Sequence, residues 1–303
     1  SSVLYLANGV SFGGTTAAQF DSFTGTINVP SGATLRFSAN SSGNTYGSLS
    51  PVFAVNGTLQ PRNAGNTVRL GKLSGSGTLS GPQSNSGTGN TTYQLGGANV
   101  DSAFTGVISS NTAVAGSLVA LHKVGTGKLT LTGASTFSGG TIVSNGAAFV
   151  NNTTGSGTGS GPVTIRSGAT LGGTGSIGGA TTIEAGGTLS PGDAIGKLTF
   201  NSSLTFAAGC TSRLELNAAA ATNDTVKIAG AITYAGTLVV SNIAGTPGAG
   251  QSFKLFEATG YSGSFSALTL PALGANLAWT NRLAVDGTIA VFSTAPATPP
   301  VFN

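Results

Sequence analysis

Short apolar runs separated by glycine recur throughout residues 125–200, and this pattern restricts the possible folds more than any other feature of the chain. In residues 128–132, Lys-Leu-Thr-Leu-Thr, an extended strand places the two leucines on one face and the lysine and threonines on the other. Similar runs follow at residues 163–165, 182–184 and 197–200. Each run is too short to form a stable sheet alone, so neighbouring repeats must supply the pairing strands.

The spacing of the repeats predicts a solenoid. In each repeat, a glycine is followed within two or three residues by an apolar strand position. These positions are Leu35, Leu59, Leu79, Leu129, Phe149, Leu171, Leu189, Leu214 and Leu238. Wherever no coil is missed between them, their spacing predicts coils of about 18 to 25 residues, each with three short strands, stacked about 4.8 Å apart in parallel register. An antiparallel sandwich is the alternative, and it would place turns about every 8 to 12 residues.

The pattern divides the chain into four predicted segments. They are divergent N-terminal solenoid coils at 1–122, the regular β-strand repeat at 123–243, a β-rich C-terminal cap at 244–294 and a proline-rich extended tail at 295–303. A cap is expected because a solenoid end leaves strand edges unpaired and the core open. Residues 80–92 and 151–161 are rich in Gly, Ser, Thr and Asn, and they are predicted to be exposed loops.

Composition indicates a turn-rich, all-β protein outside the cell. Glycine makes up 49 of 303 residues without a three-residue period, which excludes collagen, and the apolar content of 39% argues against disorder. The 12 basic and 8 acidic residues are scattered, so the clustered basic stripe typical of nucleic-acid binding is absent. No apolar run approaches the roughly 18 residues of a membrane span. The lack of any methionine predicts a mature secreted chain whose signal peptide has been removed.

Several longer strings resemble a known repeat. They are GTGKLTLTGASTFSGGTIVSNGAAFVNN at 125–152, GSGTGSGPVTIRSGATLGGTGSIGG at 155–179, GGTLSPGDAIGKLTF at 186–200, QSFKLFEATGYSGSFSALTLPAL at 251–273 and LAVDGTIAVF at 283–292. Through them, residues 123–293 resemble the autotransporter-associated β-strand repeat family of bacterial secreted and surface proteins. The resemblance implies a right-handed parallel β-solenoid, also called a β-helix, that serves as a passenger, stalk or adhesin.

The chemistry-bearing residues do not form a recognisable catalytic motif. Glu184 and Glu215 are the one pair of carboxylates that coil spacing could bring together, and outward, solvated positions are expected for both. His122 is the single histidine and has no nucleophile motif beside it, and Cys210 is expected to be a buried small side chain. We therefore predict no enzymatic activity, no cofactor and no metal site. A polysaccharide-active β-helix enzyme is the third hypothesis for function.

The leading hypothesis is a self-assembling subunit of an extracellular filament or matrix fibre. The two ends of a solenoid are unlike surfaces, and head-to-tail contact between them forms a homopolymer. The candidate assembly contacts are Val3, Leu4, Tyr5, Leu6, Val301 and Phe302. The alternative is a surface adhesin or glycan-binding stalk, in which Trp279, Tyr261 and Phe265 form a platform for a sugar.

Overall fold

The computed structural model describes residues 3–5, 10–13, 22–38, 42–83, 89–111 and 118–296. The first strands are β1 (Val3–Tyr5), β2 (Val10–Gly13), β3 (Thr26–Val29), β4 (Thr34–Ser38), β5 (Thr45–Val55), β6 (Thr58–Pro61), β7 (Thr67–Gly75), β8 (Thr78–Ser80), β9 (Thr91–Leu95), β10 (Ser102–Phe104) and β11 (Val107–Ser109). The middle strands are β12 (Val119–Lys123), β13 (Lys128–Leu131), β14 (Thr141–Val143), β15 (Gly146–Val150), β16 (Val163–Ile165), β17 (Ala169–Gly173), β18 (Ser176–Ile177), β19 (Thr181–Ile183), β20 (Thr188–Pro191), β21 (Lys197–Phe200) and β22 (Leu204–Phe206). The last elements are β23 (Thr211–Asn217), β24 (Thr222–Asn223), β25 (Thr225–Ile228), β26 (Ala231–Tyr234), β27 (Thr237–Asn242), β28 (Ser252–Lys254), β29 (Phe256–Glu257), β30 (Gly260–Gly263), β31 (Ala267–Thr269), β32 (Leu277–Arg282), α1 (Leu283–Asp286) and β33 (Thr288–Ser293).

The strands stack into three columns of parallel pairs. The first column runs β1, β3, β5, β7, β10, β13, β15, β17, β20, β23, β27, β31. The second runs β5, β7, β9, β12, β14, β16, β19, β22, β26, β30, with β5 and β7 long enough to bend through both columns. The third contains β2, β4, β6, β8, β11 and, further along, β18, β21, β25, β29. This topology confirms the predicted parallel β-solenoid and excludes the sandwich.

Alternation along most of the strands whose side chains are described separates core from surface. In β13, Leu129 and Leu131 are buried, whereas Lys128 and Thr130 face outward. Similar inward rows from all three columns enclose an apolar core that consists of two clusters, one between residues 27 and 137 and the other between residues 143 and 289. Full burial of one such leucine stabilises the fold by about 2 kcal/mol. Cys210 is part of this core, as its sequence context predicted.

Coil length varies more than the sequence pattern predicted. Thr170 pairs with Thr188, 18 residues later, whereas Thr237 pairs with Ala267, 30 residues later. The predicted upper limit of about 25 residues is therefore too low. The longest coil contains β28, which leaves the three columns and pairs with β33 instead. Such an excursion lengthens a coil without changing the register of the strands on either side of it.

Residues 151–161 form a corner of one coil without a strand or helix, and residues 153–155 and 160 are exposed as predicted, but other residues of this corner are buried. Asn152 is 5% exposed and Thr158 is 1% exposed. The Asn152 side-chain amide donates to the Thr154 carbonyl at 3.0 Å, and its Oδ1 accepts from the amide of Ser176 in the next coil at 2.9 Å. These polar residues can be buried because hydrogen bonds, rather than apolar contacts, satisfy their side chains. The other predicted loop, 80–92, lies partly outside the described residues.

β28, from within the last coil, forms a three-stranded antiparallel sheet with β33 and β32. The amides of Leu255 and Phe256 both donate to the Gly287 carbonyl, at 3.0 and 3.1 Å, which fastens this sheet to the end of the third column. Leu283 of α1 is buried in the same core cluster as Phe256. The sheet and α1 therefore cover part of the apolar end of the stack. The four segment boundaries given above stay predictions.

Candidate functional site

The last strand of the first column has one open edge. β31 pairs with β27 on one side, and no strand within the described residues pairs with its other side. All three residues of β31 are exposed, including Leu268 at 37%. An unpaired strand edge presents backbone N–H and C=O groups that can pair with a strand of another chain.

An apolar cleft lies beside this edge. It has a volume of about 130 Å³ and is lined by Phe265, Leu268 and Val285, among others. Val285, in α1, is 70% exposed. The C-terminal end thus combines an open strand edge with exposed apolar side chains, and this combination is typical of an interaction surface.

The three aromatic residues of the predicted sugar platform are half-buried in the C-terminal part. The rings of Tyr261 and Phe265 lie 6.4 and 4.9 Å from the ring of Tyr234, so these two residues share one aromatic cluster. Trp279 packs against Phe253 instead, with 6.1 Å between ring centroids. No ring contact among the described residues joins Trp279 to Tyr261 or Phe265. A sugar platform built from all three stays a prediction.

The candidate assembly contacts divide into a described and an undescribed group. Val3–Tyr5 forms β1, the first strand of the first column, and pairs with β3. Leu6, Val301 and Phe302 lie outside the described residues. Three of the six predicted contacts therefore lie at the end of the first column opposite to β31.

The structure brings His122 close to a serine that sequence reasoning did not associate with it. His122 Nε2 lies 2.8 Å from Ser144 Oγ, although the two residues are 22 positions apart. Burial, and to a smaller extent the positive charge of Arg166, lowers the pKa of His122, which favours the neutral form of the ring. No carboxylate in the described part of the chain hydrogen-bonds to His122, so the pair lacks the third group that orients a general base.

Glu184 and Glu215, the candidate carboxylate pair, belong to different columns. Glu184 follows β19 in the second column, whereas Glu215 lies in β23 in the first. Glu215 instead lines a surface groove together with Asp193 and Arg213. The described residues contain no group of three or more His, Cys, Asp or Glu side chains that could hold a metal ion. The predicted lack of enzymatic activity and of a cofactor stays a prediction.

Asp224 is a buried carboxylate that joins two segments of the stack. It is 1% exposed, and its oxygens accept from the amides of Gly196 at 2.8 Å and Glu215 at 2.7 Å. Burial raises the pKa of Asp224 to about 6, although the two amide hydrogen bonds oppose this shift. The charged form is therefore disfavoured by burial more than it is stabilised by its two donors.

We expect Asp224 to make stability depend on pH between about 4 and 6. The folded state binds the proton more tightly than the unfolded state, whose pKa lies near the ordinary 3.8. The contribution to the free energy of unfolding is therefore full below about pH 4 and is lost as pH rises through 6. Urea denaturation across this range should show the decline, and Asp224→Asn should remove it. Asp193→Asn, at a site 68% exposed, is the control and should keep it. A decline that persists in Asp224→Asn contradicts the assignment.

The three-column stack defines a parallel β-solenoid with a small antiparallel cap at its C-terminal end. Within it, residues 121–147 match the family described as passenger-associated-transport-repeat. The matched segment includes β13 and β14, and it confirms the resemblance to autotransporter passenger repeats. No curated protein matches the chain. None of the helices in the described ranges has the length and hydropathy needed to cross a bilayer.

Proposed function

We propose that this protein is an extracellular structural protein whose solenoid assembles end to end into a filament. The match to a passenger-associated repeat supports a secreted or surface location and a structural or adhesive role. The proposal of end-to-end assembly rests on one observation: within the described residues, one edge of β31 is unpaired at the C-terminal end of the first column.

The other two columns are covered at this end. Tyr261 of β30, the last strand of the second column, donates through its hydroxyl to the carbonyl of Asp286 in α1 at 3.1 Å. The last strand of the third column, β29, is held by the Gly287 carbonyl through the amide of Phe256. In the described residues, no hydrogen bond joins β31 itself to the cap. The cap therefore supports the core while leaving one strand edge for pairing.

β1 and β31 are the two ends of the same column. Pairing β31 of one copy with β1 of the next copy would continue that column in parallel across the junction. The two surfaces differ, so the contact is heterologous and can repeat without limit. Backbone hydrogen bonds would supply affinity, as in other cases of strand addition, and Leu268 and Val285 would supply apolar contact.

Leu268→Arg should prevent assembly, because it places a charge at the apolar edge where the next copy would pack. We expect the wild-type chain to elute as concentration-dependent oligomers in size-exclusion chromatography with light scattering, and to form filaments in negative-stain images. The variant should be a monomer at every concentration.

Val100→Arg is the matched control for this experiment. Val100 is 46% exposed but lies between β9 and β10, away from both ends of the stack, so its replacement should leave assembly unchanged. A wild-type chain that stays monomeric at all concentrations contradicts the proposal. Equal assembly by the Leu268→Arg and wild-type chains contradicts the assignment of the interface to β31.

A further inference from the structure

A groove of about 290 Å³ crosses the outward face of the first column. Its floor includes Arg213 and Val239, which are register partners on the adjacent strands β23 and β27. One wall is the turn at residues 191–194, which contains Asp193. The groove lies on a sheet face in the middle of the stack, so it is distinct from the open edge of β31.

Phe149 supplies an apolar surface in this groove. Its side chain leaves the outward face of β15 and lies over Gly172 of the next strand. A Cβ at Gly172 would lie 3.0 Å from Phe149 Cζ and 3.2 Å from Cε1, so the ring occupies the space that a side chain at position 172 would need. Gly172 thus allows an aromatic ring to lie on the sheet surface.

Four charged side chains lie in or beside the groove, although the whole chain has only 12 basic and 8 acidic residues. Asp193, Arg213 and Glu215 line the groove, and Lys128 lies beside the Phe149 ring. Lys128 Nζ lies 4.9 Å from the centre of the Phe149 ring and 4.0 Å from the Asp193 carboxylate. These contacts are weak, because Lys128 is 39% exposed and Asp193 is 68% exposed.

Arg213 and Glu215 are available to a ligand. They lie two residues apart on β23 and therefore face the same side of the sheet. Within the described residues, neither side chain forms an ion pair. A guanidinium donates up to five hydrogen bonds and a carboxylate accepts about four, so the two side chains offer donors and acceptors to one ligand.

We propose that this groove binds a neutral, hydroxyl-rich polysaccharide chain. The charges of the two cations and the two carboxylates cancel, so an anionic or a cationic polymer would meet charges of its own sign in the groove. Sugar hydroxyl groups, in contrast, can donate to the carboxylates and accept from Arg213 and Lys128. Phe149 lines the groove, so its ring offers apolar surface to a sugar. An extended peptide would find no partner for its backbone, because the groove lies on a sheet face whose backbone groups are paired along the columns.

The test is affinity gel electrophoresis of the full chain in gels containing a neutral β-glucan, a neutral galactomannan, polygalacturonate or chitosan. We expect at least one neutral polymer to retard the protein and the two charged polymers not to do so at equal mass. Phe149→Ala should raise the apparent Kd at least tenfold. Phe292→Ala, which removes a ring 45% exposed in β33, is the matched control and should leave the Kd unchanged.

A second variant separates binding from folding. Arg213→Ala combined with Glu215→Gln changes groove side chains that are not buried, so the circular dichroism spectrum should stay that of the wild type while retardation is lost. The absence of retardation by both neutral polymers overturns the proposal. Equal retardation of the wild type, Phe149→Ala and the double variant also overturns it, because binding would then lie elsewhere on the solenoid.

Discussion

Lys123→Met should lower the free energy of unfolding by about 3 kcal/mol or more. Lys123 is 1% exposed, and its ammonium donates to the carbonyls of Val124 at 2.7 Å, Gly125 at 2.8 Å and Asn145 at 3.1 Å. Burial lowers the pKa of Lys123 to about 8, so the group is still charged at pH 7. Methionine keeps most of the volume but leaves three carbonyl oxygens without this donor, and each unsatisfied buried group is costly.

The surroundings of Lys123 make this effect specific to one position. Its register partners are Leu95 on one side and Val143 on the other, so a lysine interrupts an otherwise apolar inward row. Urea denaturation followed by circular dichroism measures the loss. Lys128→Met removes a lysine that is 39% exposed and should change stability by less than about 1 kcal/mol. A Lys123→Met chain as stable as Lys128→Met would falsify the role of the buried ammonium.

Gly77→Ala should also destabilise the fold by about 3 kcal/mol, the upper part of the range for overpacking. A Cβ at Gly77 would collide with the carbonyl oxygen of Gly57 in the preceding coil. A Cβ at Gly106 would collide with Gly77 in the same way, and one at Gly133 with Gly106. One corner of the solenoid is therefore a stack of glycines in which each backbone fills the space that the next side chain would need.

Gly248→Ala is the control for this substitution. A Cβ at Gly248 would have no atom within 4 Å, and its backbone does not adopt a positive φ. We expect this variant to be unchanged or more stable by about 0.4–1 kcal/mol, because alanine restricts the unfolded chain. Thermal denaturation of the two variants side by side makes the comparison. Equal melting temperatures for Gly77→Ala and Gly248→Ala contradict the close-contact explanation.

Local pattern was sufficient to predict the architecture. Alternation in residues 128–131 placed Leu129 and Leu131 in the core, as the structure confirms. The glycine-marked spacing indicated short coils, and strand after strand pairs in parallel with the strand of the next coil. These features depend on residues close in sequence and on the two-residue period of a strand, so the sequence of this chain is sufficient to predict them.

The burial of individual polar side chains could not be predicted from the same pattern. Lys123 carries a charge, yet it lies inside the stack. Residues 151–161 contain no apolar side chain, yet Asn152 and Thr158 are buried. Both cases have one cause: hydropathy counts side chains singly, whereas burial of a polar group depends on partners supplied by another coil.

The sequence by itself determined the repeat, the inward and outward faces of its strands and the need for glycine at the corners. Only the tertiary structure decided which coils meet, because register sets which residues 18 to 30 positions apart become neighbours across a strand spacing of about 4.8 Å. That register brings Phe149, Asp193 and Arg213 into one groove. Among the residues that the structure describes, it also leaves one edge of β31 unpaired, while α1 and Gly287 cover the other two columns. Local alternation of apolar and polar residues therefore predicts which side of a strand is buried, but only the stacking of coils decides which residues form a site.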